Sequence, residues 1–386
     1  MLDLLLGVAL LTPAQAPQDE GAVYQAPLAI DADEARTRVA RGASWLLKEQ
    51  RPDGAWGVGA IDSVQFIGFA VETYYAFQLG ANALAFLALS SLEPTAEIDA
   101  ALARSLEWLS TTRVPKRGSD WDVDCSWAAL YGFQAMLAAW QDPRFQAEEL
   151  RARSRARGLE FYELLEKNQE PLGGWGYYEG PAVSRRPTWS TSFATACVVP
   201  ALVRAVELGW PIDVQVVARA RRYLEQCRLP NGAYAYDLRP VPRVAGESID
   251  AIKGSLGRIQ VCNWALRRAK SESVTPERIR EGLEAFFEHH KFLDAARMRP
   301  IPHEAYYANA AYFYLFGHCY AAQAINELPE AERAEWHRKL RGHLAKIQWQ
   351  DGSSLDFPNL SCMQIAGTSF SILAFQAGLS GSRARL

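Results

Sequence analysis

Two kinds of apolar pattern alternate along the 386-residue chain. In one kind, apolar residues recur at steps of three and four; in the other, nearly every residue is apolar or small. A helix with one polar face lies at the surface, whereas a helix that is apolar all round is buried. The alternation therefore predicts an all-α fold of six helical hairpins, each with one outer and one inner helix.

The segments follow one another in regular order. The predicted outer helices are Glu34–Lys48, Ala96–Leu109, Arg151–Lys167, Val214–Gln226, Pro276–His289 and Glu330–Lys346. The predicted inner helices are Thr73–Leu92, Cys125–Trp140, Ser190–Leu208, Ile249–Arg268, Glu304–Asn326 and Cys362–Gln376. The two-residue alternation of strands is scarce, so no sheet core is expected.

A turn rich in glycine and aromatic residues recurs between the two helices of a hairpin. Its copies are Gln50–Gly57, Gln169–Gly176, Arg228–Tyr234 and Gln350–Ser354, with a weaker copy at Arg117–Trp121. The intervals between the marker glycines are 64, 56, 58 and 120 residues, for Gly54, Gly118, Gly174, Gly232 and Gly352. Because the last interval is twice the usual one, we expect a decayed copy near Phe292–Met298. A fixed period of this kind is typical of repeat architectures.

These turns resemble the QW repeats of squalene and oxidosqualene cyclases. That superfamily shares an α/α toroid, or α6–α6 barrel, with protein prenyltransferases and complement-type thioester domains. The resemblance spans Glu34 to Gly378 and implies a single toroid domain over residues 34–379, followed by a tail over residues 380–386. Triterpene cyclases enclose their substrate between two toroids, whereas this chain has residues for only one.

The strongest candidate for chemistry is the segment Trp121–Trp127, at the start of the second inner helix. It resembles the DxDD motif of class II terpene cyclases and the Asp-Cys-Thr segment of the oxidosqualene branch. The resemblance implies that Asp124 is the proton donor, with Cys125 as its hydrogen-bonding neighbour and Asp122 as a second carboxyl that shares a proton. The fourth Asp of DxDD is missing, and Ser126 stands where Thr is usual. Capping of the helix by either Asp is the alternative.

Aromatic residues are dense on the predicted inner helices. Such rings stabilise a carbocation over their faces, and the same density is also typical of an ordinary helical core. The candidate substrate-binding residues are Tyr74, Tyr75, Phe77, Trp127, Tyr131, Trp189, Phe193, Tyr306 and Tyr307, with Tyr312, Phe313, Tyr314 and Phe316 on the fifth inner helix. The expected ligand is an apolar isoprenoid.

No metal and no cofactor is expected from the motifs. The six cysteines form no CxxC, and no Cys/His pair has zinc-finger spacing. His303, Glu304 and His318 raise the alternative of the catalytic zinc of protein prenyltransferases. However, Val123 occupies the position two before Cys125, where that site needs Asp. His318, deep in an apolar helix, is expected to be a core histidine.

Charge and the N-terminus bear on the protein's location. The formal net charge of −3 offers no basic field for nucleic acid. The apolar run Leu4–Leu11 and the small-x-small Ala14–Ala16 predict a signal peptide over residues 1–16, a flexible lead-in over 17–33, and export to the periplasm or cell envelope. The alternative is a disordered terminus of a cytoplasmic protein, because Asp3 and no Lys or Arg precedes the apolar run.

Two functions remain open at this point. One is a class II terpene cyclase of the squalene type, an isomerase that holds an isoprenoid in the ring, with peripheral membrane contact as a route for the hydrocarbon. The other is a non-catalytic exported toroid scaffold that binds a protein or envelope partner. The two differ in whether the carboxyl group of Asp124 faces an apolar cavity or caps its helix.

Overall fold

The computed structural model describes residues 24–58, 71–116, 126–177, 189–238, 248–358 and 360–379. Within these ranges the chain forms thirteen α-helices and no strand beyond two isolated bridges. The helices are α1 Ala32–Glu49, α2 Val71–Ser90, α3 Ala96–Thr111, α4 Ser126–Gln141, α5 Glu148–Lys167, α6 Ser192–Glu207, α7 Val214–Cys227, α8 Leu256–Arg268, α9 Pro276–Glu288, α10 Lys291–Ala296, α11 Phe313–Ile325, α12 Glu330–Ile347 and α13 Ser361–Gln376. None of these helices is long and apolar enough to cross a membrane.

Twelve of the helices form two concentric rings. In the inner ring, α2, α4, α6, α8, α11 and α13 each pack on the next, and α13 packs on α2 to close the circle. In the outer ring, α3, α5, α7, α9 and α12 lie against the inner helix that precedes them in the chain. The first outer helix, α1, lies against α13 at the other end of the chain. The prediction of an α/α toroid of six hairpins is therefore confirmed.

The two rings differ in how much of each helix is buried. All thirteen residues of α11 are buried, because its neighbours cover every face. In α7, by contrast, the buried residues form a single stripe: Val216, Ala220, Tyr223, Leu224 and Cys227. The hydrophobic free energy of the fold is thus concentrated in the inner ring and its contact with the outer one.

The first glycine turn joins the helices α1 and α3 through side-chain hydrogen bonds. The Gln50 amide nitrogen Nε2 donates to the Gly54 carbonyl within the turn at 3.0 Å, and to the Ala101 carbonyl of α3 at 2.9 Å. The buried Trp56 ring donates from Nε1 to the Leu46 carbonyl of α1 at 2.7 Å. The turn therefore closes on itself, on the helix before it and on the next outer helix.

The same glutamine geometry occurs in two other turns. Gln169 Nε2 donates to Gly173 and to Val216 of α7, at 2.8 and 2.9 Å. Gln348 Nε2 donates to Gly352 and to Arg38 of α1, both at 2.9 Å. The glutamine thus lies four residues before a glycine of positive φ. In the last copy it is Gln348 and not Gln350, and in the second copy the matching glycine is Gly173 and not Gly174.

The expected decayed copy lies where the chain forms a short extra helix instead of the turn. After α9 the chain passes through His289 and His290 into α10, Lys291–Ala296. Met298 then takes a positive φ of 66°, and its amide donates to the Asp356 carbonyl at 2.7 Å. The fifth unit is therefore held by contacts that differ from those of the Gln–Gly turns.

Gly173 and Gly232 provide a matched test of the turn. Both have positive φ, of 107° and 88°. A Cβ on Gly173 would overlap the Arg219 carbonyl of α7, whereas a Cβ on Gly232 would meet nothing within 4 Å. We expect Gly232→Ala to lower the free energy of unfolding by about 1–2 kcal/mol, the cost of a left-handed alanine. Gly173→Ala should cost a further ~1–3 kcal/mol from overpacking. Urea denaturation measures both, and equal losses would contradict the proposed close approach.

Candidate functional site

A cavity of about 340 Å³ lies inside the ring, near the N-terminal ends of the inner helices. Its described walls come from α2, α4, α6, α11 and α13, from the segment that leads into α11, and from Tyr177 and Phe357. The aromatic side chains among them are Phe77, Trp127, Tyr131, Tyr177, Phe193, Tyr312, Phe316, Phe357 and Phe370. Aliphatic or small residues fill most of the remaining lining, including Ala81, Leu84, Met363 and Ala366.

Trp127 is the centre of an aromatic stack on one wall. Its ring lies parallel to Tyr131, one helical turn further along α4, with centroids 5.8 Å apart. Tyr177 lies parallel to it at 6.4 Å, and Phe193 of α6 lies tilted to it at 6.0 Å. Residues four apart share one face of a helix, which is why Trp127 and Tyr131 both reach the cavity.

The opposite wall is built from α11 and α13. Phe316 contacts Phe193 edge-on at 5.9 Å and Phe370 edge-on at 6.1 Å. Phe370 in turn contacts Tyr131 at 6.0 Å. These edge-to-face contacts are favourable in their own right, so the rings form a continuous belt from α4 through α6 and α11 to α13.

His303 is the described lining residue with an imidazole side chain. Its Nδ1 lies 2.7 Å from the Ala308 carbonyl, and its Nε2 lies 3.0 Å from the Tyr312 hydroxyl. Because a carbonyl only accepts, Nδ1 carries the proton and Nε2 accepts from Tyr312. Burial lowers the pKa of His303, so the ring is neutral at pH 7.

A buried arginine lies behind the aromatic wall. The Arg258 guanidinium lies 5.3 Å from the centroid of the Tyr236 ring and 5.9 Å from that of Phe313. It donates to the carbonyls of Ile249 and Tyr234. Burial lowers the pKa of Arg258, and Asp250 opposes that shift. Carbonyls and ring faces behind the wall therefore stabilise the charge, while Nη1 has no hydrogen-bond partner among the described residues.

The sequence-predicted residues divide into three groups. Those that line the cavity are Phe77, Trp127, Tyr131, Phe193, Tyr312 and Phe316. Those that lie elsewhere are Tyr74, Tyr75, Trp189, Tyr306, Tyr307, Phe313 and Tyr314. Asp122, Asp124 and Cys125 lie outside the described residues, so the structure places neither the candidate proton donor nor its neighbours.

The residues that lie elsewhere have other contacts. Tyr75 lies under the Arg113 guanidinium at 5.7 Å. Tyr307 packs edge-on against Phe292 at 4.9 Å. Trp189 is close to the wall: it meets Tyr177 edge-on at 4.7 Å and donates from Nε1 to the Asp237 carboxylate at 3.0 Å.

The sequence analysis did not select the contribution of α13. Met363, Ala366 and Phe370 line the cavity at steps of three and four residues, as one face of a helix does. That spacing was readable in the sequence. Because α13 is apolar on its other faces too, the spacing alone could not distinguish the cavity side from the core side.

A second group of side chains, remote in sequence, could hold a metal ion. One ligand atom each from His290, His318 and His343 lies within 4.8 Å of the other two, and all three residues are buried. No metal was expected from the sequence, because it has no CxxC and no Cys/His pair at zinc-finger spacing. His318 does lie deep within α11, where the sequence placed it.

Comparison with known proteins shows similarity at the level of the fold. No protein-family model matches the sequence, and no curated protein matches it. The α-1,6-mannanase GH76A from Salegentibacter sp. superposes with a TM-score of 0.56 at 11% identity, covering 88% of this chain and 98% of the mannanase. The chain has the α/α-toroid fold.

Other toroids of different activity are similar to this one. Cellobiose 2-epimerase from Spirochaeta thermophila has a TM-score of 0.56 at 12% identity, covering 89% of this toroid and 97% of the epimerase. The type II terpene cyclase MstE from Scytonema has a TM-score of 0.50 at 12% identity, covering 89% of this chain and 98% of the cyclase. The resemblance to cyclase-type toroids therefore holds for the fold, which hosts several chemistries.

Asp356 is a buried acid beside the cavity, next to the lining residue Phe357. Its Oδ2 accepts from the Leu315 amide in the first turn of α11 at 2.8 Å. Burial raises the pKa of Asp356 to about 7, although that hydrogen bond and Arg297 favour the charged form. The toroid therefore keeps one carboxyl partly protonated at neutral pH.

Asp356 should make stability fall as the pH rises. Between its unfolded pKa of 3.8 and its folded pKa of about 7, the folded state binds more protons than the unfolded state. Asp356→Asn keeps an oxygen acceptor for Leu315 but does not titrate. The free energy of unfolding of the mutant relative to the wild type should therefore increase from pH 4 to 8 by about 1–4 kcal/mol. Urea denaturation measures both proteins, and pH profiles that run parallel in the mutant and the wild type would contradict the prediction. The buried histidines contribute equally to both proteins, so their effect cancels when one profile is subtracted from the other.

Proposed function

We propose that this toroid binds an apolar isoprenoid in the aromatic cavity. The observation that carries the proposal is the belt of nine aromatic side chains around one space inside the ring. The volume of about 340 Å³ lies within the ~300–1,000 Å³ typical of small-molecule sites. Removing an extended hydrocarbon from water into such a space is favourable in proportion to the apolar area buried.

The chemistry of the lining favours hydrocarbon over sugar, although sugar-active enzymes share the fold. A sugar carries hydroxyl groups that need polar partners when they leave water. The described lining is mostly ring carbon and aliphatic carbon. Its polar groups also bond to one another, as His303 does with Tyr312. The hydrocarbon chain of an isoprenoid has no hydroxyl groups that need polar partners.

The sequence match supports a further step, acid-initiated cyclisation. In this step Asp124 protonates a terminal double bond of the isoprenoid, and the next double bond attacks the resulting cation to close a ring. Loss of a proton from the last cation then gives a cyclic isomer. Aromatic faces such as those of Trp127 and Phe193 stabilise the cations between these events. In sequence, Asp124 stands three residues before Trp127, which lines the cavity.

Binding is tested by filling the cavity. Ala366 lines it from α13, whereas Ala345 of α12 is equally half-buried and lies in the outer ring. We expect Ala366→Phe to weaken the binding of a linear C15 prenyl alcohol about tenfold or more, a loss of ~1.4 kcal/mol. Ala345→Phe should leave the affinity unchanged. Isothermal titration measures both, and equal affinities in the two variants would contradict binding in this cavity.

Catalysis is tested at Asp124. Asn is about as good a helix cap as Asp, so Asp124→Asn should fold and bind the prenyl alcohol normally. It should lose cyclic product from squalene, oxidosqualene or the prenyl alcohol by about 10²-fold or more, because Asn has no proton to transfer. Product analysis by gas chromatography and mass spectrometry gives the result. Equal product from both proteins would exclude Asp124, and an inert wild type that binds would favour the binding scaffold.

A further inference from the structure

Three buried histidines meet at one point between the two rings. His290 lies at the junction of α9 and α10, His318 lies on the inner helix α11, and His343 lies on the outer helix α12. Their exposed fractions are 0%, 0% and 2%. Water therefore does not solvate their ring nitrogens, so each nitrogen needs a partner within the protein.

The proton positions of two of these rings follow from their neighbours. His318 Nδ1 lies 2.7 Å from the Tyr314 carbonyl, and His290 Nδ1 lies 3.1 Å from Asp294 Oδ2. A carbonyl and a carboxylate only accept, so both Nδ1 atoms carry the proton. The Nε2 atom of each neutral ring is then unprotonated and carries a lone pair.

These two lone pairs point at each other. His290 Nε2 and His318 Nε2 are 3.1 Å apart. Two acceptors at that distance repel unless a cation or an extra proton lies between them. The Tyr24 hydroxyl does not change this, because it donates its hydrogen to Asp294 Oδ2 at 2.7 Å.

His343 adds a third nitrogen to the same point. Its ring centroid lies 3.7 Å from that of His290. Its Nδ1 is buried, and no hydrogen-bond partner for it exists among the described residues. One nitrogen from each ring lies within 4.8 Å of the others. The cluster thus brings the two unprotonated Nε2 atoms of His290 and His318 together with a nitrogen of His343, a ring whose Nδ1 has no hydrogen-bond partner among the described residues.

We infer that His290, His318 and His343 bind a divalent transition-metal ion, Zn²⁺ in the first instance. Imidazole nitrogens bind zinc at about 2.0–2.1 Å in a tetrahedral arrangement, which places two of them ~3.3 Å apart. The observed 3.1 Å between His290 and His318 is close to this separation. A cation also removes the repulsion between the facing lone pairs.

The surroundings have the form of an outer shell for such a site. Metal-bound histidines usually donate their second N–H to a carboxylate or a carbonyl. Here Asp294 accepts from His290, and the Tyr314 carbonyl accepts from His318. Asp294 also supplies a negative charge. The Nζ atom of the half-exposed Lys346 lies 3.8 Å from Asp294 Oδ2.

The protonation equilibria agree with this geometry. Burial lowers the pKa of His290 and of His318, and it lowers that of His343 to about 3. The three rings are therefore neutral at pH 7, and neutral imidazole is the form that binds metal. Edge contacts from Phe286, at 5.6 Å to His290 and 5.0 Å to His318, enclose the cluster in apolar surface.

The position of the cluster indicates a structural role. The fifth unit lacks the Gln–Gly turn, and His290 lies where the chain leaves α9 in that unit. A metal ion held by His290, His318 and His343 would join the α9–α10 junction to an inner and an outer helix. Gln50 and Gln169 connect their turns to the next outer helix. The metal ion would likewise connect the end of α9 to the next outer helix, α12, and it would add the inner helix α11.

The experiment uses the full-length protein, stripped with a chelator and then titrated with Zn²⁺. We expect one equivalent of bound zinc by elemental analysis and a rise in the thermal midpoint, because a ligand of the folded state stabilises it. Co²⁺ in place of Zn²⁺ should give visible absorption bands that the metal-free protein lacks. No stoichiometric metal in the wild type would overturn the inference and leave a shared proton between His290 and His318.

Variants assign the site to these residues. His343→Ala should weaken zinc binding by about 100-fold or more, and Asp294→Asn, which keeps all three ligands, by ~10–100-fold. His337→Ala is the matched control, because His337 lies on the same helix with the same 2% exposure but bonds to Asn326. Its zinc affinity should equal that of the wild type. If His343→Ala does not fold, Asp294→Asn decides; wild-type affinity in that variant, or an equal loss in His337→Ala, would overturn the assignment.

Discussion

Closure of the inner ring is the constraint on which the rest of the molecule depends. Since α13 must pack on α2, every inner helix has two inner neighbours and an outer one, and most of its residues are buried. This is why α11 is buried along its whole length. The Gln348 amide crosses the seam between the chain's two ends by bonding to Arg38 of α1. The hydrogen bonds of this Gln–Gly turn thus also help to close the ring.

The cavity is a consequence of that closure. Inner helices arranged in a circle converge without meeting on the axis, and large side chains must fill the space that remains. Here the rings of Trp127, Phe193, Phe316 and Phe370 contact one another around the space and leave about 340 Å³ of it open. Similar toroids hold quite different activities, so the chemistry of the lining, and not the ring itself, distinguishes one function from another.

Burial acts on the ionisable groups in opposite directions within this one fold. It raises the pKa of the Asp356 carboxyl and lowers those of the His303, His290 and His318 rings, because in each case the charged form is disfavoured. At neutral pH the three imidazole rings are uncharged and the Asp356 carboxyl is partly protonated. Neutral imidazoles remain available as acceptors or ligands, which is the property that makes the histidine cluster chemically interesting.

Much of the architecture could be predicted from residue order. The three- and four-residue steps of α7 and the continuous apolar run of α11 assign one to the outer ring and the other to the inner ring, because burial depends on how many faces a helix covers. The spacing of Gly54, Gly232 and Gly352 identified turns that all have positive φ. Helix periodicity and glycine turns depend on residues that are close in sequence, so residue order alone is enough to predict them.

Only the tertiary structure decided which side of an inner helix faces the cavity. Tyr74 and Phe77 lie on the same apolar helix, yet only Phe77 lines the space, because on a helix buried on every side hydrophobicity does not mark one direction. The histidine cluster has the same origin. His290, His318 and His343 belong to three different elements, and it is the closed ring that brings their nitrogens within 4.8 Å. The sequence by itself determined the twelve helices of the two rings and the Gln–Gly turns. The late starts of α8 and α11, the extra helix α10 and the contacts between distant elements required the packed ring.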